Sequence, residues 1–95
     1  DKGAQVVTRE AALSADVIAA VRVSDPQSFA GLKSNQVLIA QLDPLGSPKI
    51  VEALARSGAT IFALELIPRT TRAQAMDVLS SMATIAGYRA VLLAA

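Results

Sequence analysis

Two stretches of the chain leave little freedom in its fold. Val37-Leu38-Ile39-Ala40-Gln41-Leu42 is stopped by Asp43-Pro44-Leu45-Gly46, and Ala59-Thr60-Ile61-Phe62-Ala63-Leu64-Glu65-Leu66-Ile67 is stopped by Pro68. Both are nearly continuous apolar runs, without the alternation of a half-solvated antiparallel strand. They fit parallel strands covered on both faces. Parallel neighbours cannot be joined by a hairpin, so a crossover segment must lie between them. The intervening residues supply one: Ser47 as N-cap, Pro48 at the first helical position, Ile50, Val51 and Leu54 as an apolar face, and Gly58 where a C-cap glycine belongs.

The upstream residues extend the pattern. Ala4–Val7 reads as a short strand, and Thr8 caps a helix opening on Arg9 and Glu10. Val17–Val23 reads as a β-branched strand ended by Ser24-Asp25-Pro26, with a helical turn over 27–32. This order predicts an α/β fold, a mostly parallel sheet with crossover helices in a flavodoxin/Rossmann-like three-layer arrangement.

From Val78 to Ala95 the only charged residue is Arg89, and a helix apolar on almost every side is expected to be buried all round. Gly87 within it costs about 1 kcal/mol relative to Ala, which predicts a close backbone approach there. Ninety-five residues cannot easily surround such a helix. Residues 1–95 are therefore expected to form part of one domain, incomplete at both ends.

Composition narrows the chemistry. Nine basic and eight acidic residues are scattered along the chain, with two Phe and one Tyr, which removes the electrostatic and stacking basis for nucleic-acid binding. There is no Cys and no His, so thiolate zinc sites, disulfides and the commonest general base are excluded. The longest apolar stretch falls short of the roughly 20 residues needed to span a bilayer. Neither a Gly-x-Gly-x-x-Gly turn nor a P-loop follows any predicted strand, so the pyrophosphate cradle of a dinucleotide fold is missing.

Ligands of parallel sheets bind beyond the carboxyl ends of the strands. Two loops qualify: Asp43-Pro44-Leu45-Gly46 and the more polar Pro68–Asp77 segment. Structural readings stand beside the functional one. Arg69 or Arg72 can pair with Asp77 and cap the last helix, Ser80 and Ser81 can be ordinary helix-start residues, and Gln74 a solvated amide. Tyr88 reads as a packing residue with a polar tip, and Glu65 as a rim charge.

The run Pro68-Arg69-Thr70-Thr71-Arg72-Ala73-Gln74-Ala75-Met76-Asp77-Val78-Leu79-Ser80-Ser81, continuing through Ala86-Gly87-Tyr88-Arg89-Ala90, resembles the Arg-Ala-Gln loop and following helix of the alpha subunit of NAD(P) transhydrogenases. Gly3-Ala4, Ala15-Asp16-Val17 and Ser57-Gly58-Ala59-Thr60 fit the same family in order. The resemblance implies that Arg69, Asp77 and Ser80 contact the nicotinamide end of NAD(H), and that Gln74 reaches toward the nicotinamide of NADP(H) held on a separate domain. Arg69, Gln74 and Asp77 are thereby the expected catalytic set. Hydride transfer between two nicotinamides needs rings in near-attack geometry, with no general acid, base or metal.

The same resemblance implies partners: a Rossmann domain of the same subunit that holds the rest of NAD(H), a second alpha subunit, and NADP(H)-binding and membrane domains that couple hydride transfer to proton translocation. It places the enzyme at the cytoplasmic face of the bacterial inner membrane and predicts that residues 1–95 alone are inactive. Two alternatives stand behind it. An alanine dehydrogenase-like oxidoreductase shares the architecture, but those enzymes carry a His where this chain reads Leu42-Asp43-Pro44 and lack the Arg-Ala-Gln loop. A non-catalytic dimerisation module is the other.

Overall fold

A computed structural model describes residues 2–95, which fall into two compact units, the first ending at Ala63 and the second spanning Leu64–Ala95. The first unit holds helix α1 (Arg9–Leu13), strand β1 (Val17–Arg22), a 3₁₀ turn (Pro26–Phe29), strand β2 (Val37–Gln41), helix α2 (Pro48–Ala55) and strand β3 (Thr60–Ala63). The second holds 3₁₀ segments at Leu64–Leu66 and Thr71–Met76 and helix α3 (Val78–Ala94).

The sheet is parallel with order β1-β2-β3, as the apolar runs require. Val17, Ile18 and Ala19 lie beside Val37, Leu38 and Ile39, which lie beside Thr60, Ile61 and Phe62. β2 is central, and its Leu38 and Ala40 are wholly buried. Around them Ile18, Val23, Phe29, Leu32, Leu42 and Leu54 complete one core. Burying a large aliphatic side chain stabilises by about 1.5–3 kcal/mol, so this cluster carries most of the unit's cohesion.

Strands added in sequence in one direction, joined by crossovers of one hand, place every connection on the same face of the sheet. The burial follows that rule. The opposite face, with Val17, Val21 (84% exposed) and Phe62 (55%), is not covered within this unit, so the cover expected on both faces is present on one.

The local chemistry matches the turns. The Thr8 hydroxyl accepts the Ala11 amide at 3.3 Å and starts α1. Ser47 and Pro48 open α2, although the Ser47 side chain makes no capping bond. Gly58, at φ +73°, occupies the left-handed conformation that brings the chain from α2 into β3. Gln36 ties three segments together. Its amide nitrogen donates to the carbonyls of Leu13 (2.9 Å) and Ala15 (2.7 Å), and its amide oxygen accepts the Lys33 amide at 2.8 Å.

Several expectations are corrected. Ala4–Val7 is not a strand, because no neighbour pairs with it among the described residues, and Val6 is fully exposed. The predicted strand over 59–67 is two elements: β3 ends at Ala63 and the chain turns into a 3₁₀ segment, since pairing with β2 reaches only Ala40↔Ala63. α3 has the predicted span, yet none of its residues is buried. In its own unit the Leu64–Leu66 turn packs against it, too little surface to cover an apolar cylinder. Gly87 faces open space rather than a neighbouring backbone. Tyr88 is 69% exposed and does not pack as expected.

Candidate functional site

Pro68 ends the apolar run, the ladder having already stopped at Ala63, and the chain continues through hydroxyl-rich residues. The Thr70 amide donates to the Pro68 carbonyl at 2.9 Å, and the Ala73 amide donates to Thr70 at 3.0 Å. The resulting 3₁₀ segment, Thr71–Met76, buries Ala73 and hands over to α3 at Asp77. Thr70, Ala73 and Gln74 all border one hollow.

That hollow is a cavity of about 440 Å³ lined by Arg69, Gln74, Asp77 and Ser80, the four residues singled out from the sequence. Glu65 and Thr70 also border it, and Leu64, Ile67, Pro68 and Leu79 form its apolar wall. Arg72, Ser81 and Tyr88 are not in the lining. Ser81 donates to the Val78 carbonyl at 3.0 Å, the ordinary helix-start role.

Asp77 is the N-cap of α3. One carboxylate oxygen accepts the amides of Leu79 (3.0 Å) and Ser80 (3.2 Å), and the other accepts the Ser80 hydroxyl at 2.7 Å. The Ser80 hydroxyl bond, with the Ser80 and Leu79 amides and the more distant charge of Arg69, holds this carboxyl below its ordinary value. Among the described residues no ion pair within 4 Å joins Arg69 to Asp77, whereas Arg56 pairs with Glu52 at 2.7 Å. The structural reading of Asp77 as a cap is therefore correct, while the pairing with Arg69 or Arg72 is not made, and Arg69 lines the cavity.

Glu65 is the lining residue that reasoning from sequence undervalued. Read as a rim charge, it is half-buried, with carboxylate atom Oε2 buried. Its mark in the sequence was visible: it is the one charge inside the apolar run 59–67.

A carboxylate offers about four acceptor directions, and three of those on Asp77 are occupied. One remains open, together with the lone pairs of the Ser80 hydroxyl, whose hydrogen is committed to Asp77, and both residues line the cavity. Opposite in kind, Arg69 brings only donors. An amide group, with one acceptor oxygen and a donor NH₂, matches such a set. Among the described residues no group of His, Cys, Asp and Glu is placed to hold a metal ion, and no helix is long and apolar enough to cross a membrane.

Comparison with known proteins finds relatives along nearly the whole chain. The family model for the alanine dehydrogenase/PNT N-terminal domain matches residues 1–86. A NAD(P) transhydrogenase subunit alpha from Cereibacter sphaeroides is 42% identical over 92 residues, which are 95% of this chain and 18% of that protein. An alanine dehydrogenase 1 from Staphylococcus aureus is 31% identical over 94 residues, 99% of this chain and 24% of that protein. A crystal structure of transhydrogenase from Sinorhizobium meliloti superposes with a TM-score of 0.84 at 51% identity, covering 95% of this chain and 27% of that one. The chain thus spans about a fifth to a quarter of the length of the relatives it matches.

Proposed function

The chain belongs to the alanine dehydrogenase/PNT N-terminal domain family, and on that premise we propose that it is the nicotinamide-orienting part of a proton-translocating NAD(P) transhydrogenase. The observation that carries the proposal is the convergence of Arg69, Gln74, Asp77 and Ser80 on one cavity. NAD(H), when bound, supplies the hydride that passes to NADP(H) on a separate domain.

What this chain adds is orientation. Arg69 would hold the carboxamide oxygen of the nicotinamide, and the acceptor positions left on Asp77 and Ser80 would hold its NH₂. Together these residues would hold the carboxamide in one rotamer and so fix which face of the ring is presented. Gln74, on the 3₁₀ segment beside them, extends toward the second nicotinamide. Leu64, Ile67 and Leu79 line the same cavity and would keep water from the ring. Near-attack geometry of this kind can supply about 7–11 kcal/mol of a barrier. Binding of the rest of NAD(H), the dimeric arrangement and the coupling to proton movement belong, in this reading, to further domains and a second subunit.

The test is single-turnover hydride transfer in the full-length enzyme. Arg69→Ala is expected to slow transfer roughly ten- to hundredfold, the worth of one charge-assisted hydrogen bond, while weakening NADH binding much less. Asp77→Ala is expected to move the rate in the same direction. Normal transfer rates in both variants would refute the assignment. The 31% identity to an alanine dehydrogenase keeps a second reading in view, and alanine-dependent NAD reduction by the same full-length protein would favour it.

A further inference from the structure

A second polar hollow lies in the first unit, away from the Arg69 cavity in sequence and unused by the reading above. We propose that Arg9 and Arg22 frame a binding site for a phosphate-class oxyanion at the carboxyl end of β1. The hollow has a volume of about 240 Å³, and Ser24, Asp25, Ser28 and Phe29 complete most of its lining.

Arg9 is held by contacts of its own, and Arg22 is aimed by the backbone that carries it. Arg9 stacks over the Phe29 ring, 5.6 Å from its centroid, and its Nη2 donates to the Ser28 carbonyl at 3.5 Å. Those contacts leave most of its five N–H donors unused. Arg22 ends β1 just past a slip in register: Ala19 lies beside Ile39 and Arg22 beside Gln41, so β1 carries one extra residue. A bulge on an edge strand re-aims the side chain that follows it and recurs beside binding sites. Among the described residues Arg22 makes no ion pair within 4 Å and no side-chain hydrogen bond.

The one acid in the lining does not neutralise them. Asp25 accepts the Gln27 amide at 2.9 Å and the Ser28 hydroxyl at 3.4 Å, capping the 3₁₀ turn, and forms no ion pair with either arginine. Two positive charges against one negative leave the hollow cationic. Its donors come from α1, from the end of β1 and from the turn after it, so they surround a tetrahedral group rather than meeting one edge of a planar carboxylate.

The experiment is an NMR titration of the chain with inorganic phosphate at constant ionic strength, read at the backbone amides and the arginine Nε–H groups. Saturable shifts confined to Arg9, Arg22, Ser24 and Ser28 are expected. Arg9→Gln and Arg22→Gln should each weaken binding at least tenfold, Arg22→Lys should weaken it less, and Asp25→Asn, which keeps the capping acceptor, should tighten it. Circular dichroism on each variant separates lost binding from lost folding. Non-saturating shifts spread equally over Lys33, Lys49 and Arg56 would overturn the proposal, and so would acetate binding as tightly as phosphate.

Discussion

Replacing Gln36 is expected to cost the first unit more than any other polar substitution there. Its side chain is 3% exposed and makes three hydrogen bonds of 2.7–2.9 Å, two to carbonyls at the end of α1 and one from the Lys33 amide. Gln36→Met keeps much of the volume and leaves three backbone groups with no replacement partner. At about 1 kcal/mol for each lost bond, with a larger cost where the stranded group stays buried, the loss comes to about 3 kcal/mol. For a unit of this size that corresponds to a fall in Tm of roughly 12–24 °C.

Gln36→Glu discriminates further. The carboxylate still accepts from Lys33 but points a second oxygen at two carbonyls, so it should be worse than Met at pH 7. Burial and those carbonyls raise its folded pKa above the unfolded value; the folded state then holds the proton more tightly, and stability falls as pH rises between the two values. The defect should therefore shrink in acid, where the protonated group can donate. Urea unfolding followed by circular dichroism from pH 4 to pH 7 measures both effects. A Gln36→Met loss under about 1 kcal/mol, or a Gln36→Glu defect that is flat with pH, would refute the reasoning.

Asp77 titrates below the ordinary carboxylate value because its folded form accepts from Ser80 and Leu79; a depressed folded pKa means stability present above the unfolded value and lost as pH falls through the folded one. The amide signals of Leu79 and Ser80 should accordingly shift with a midpoint below 3.8, and Asp77→Asn should abolish that transition. Gly58→Ala places a Cβ at φ +73° and within 3.4 Å of the Ser34 Cβ, so it should destabilise by about 1 kcal/mol or more, measured by urea midpoint. The 95-residue chain should show no transhydrogenase activity and very weak NADH affinity, because no glycine-rich phosphate cradle follows its strands; submicromolar binding by calorimetry would contradict this.

The apolar runs at 37–42 and around 60 dictated parallel strands by themselves, because an uninterrupted apolar strand has no solvated face to give away. Thr8, Ser47-Pro48 and Gly58 marked their helix ends for the same local reason, backbone groups and dihedrals that only certain residues satisfy. The polar residues from Arg69 to Ser80 stood out against an apolar background, and the 3₁₀ segment then brought four of them to one cavity.

Gln36 carried no such mark. A glutamine before a strand reads as solvated until tertiary packing delivers two carbonyls and an amide to it. The bulge that re-aims Arg22 is likewise a property of pairing between strands, invisible along one of them. β3 stops at Ala63, where its pairing with β2 ends, and the apolar content of 64–67 says nothing about that. The exposure of α3 shows the complementary limit. Its sequence demands burial, but what covers a surface depends on which other elements reach it, and within Leu64–Ala95 there is too little chain to do so.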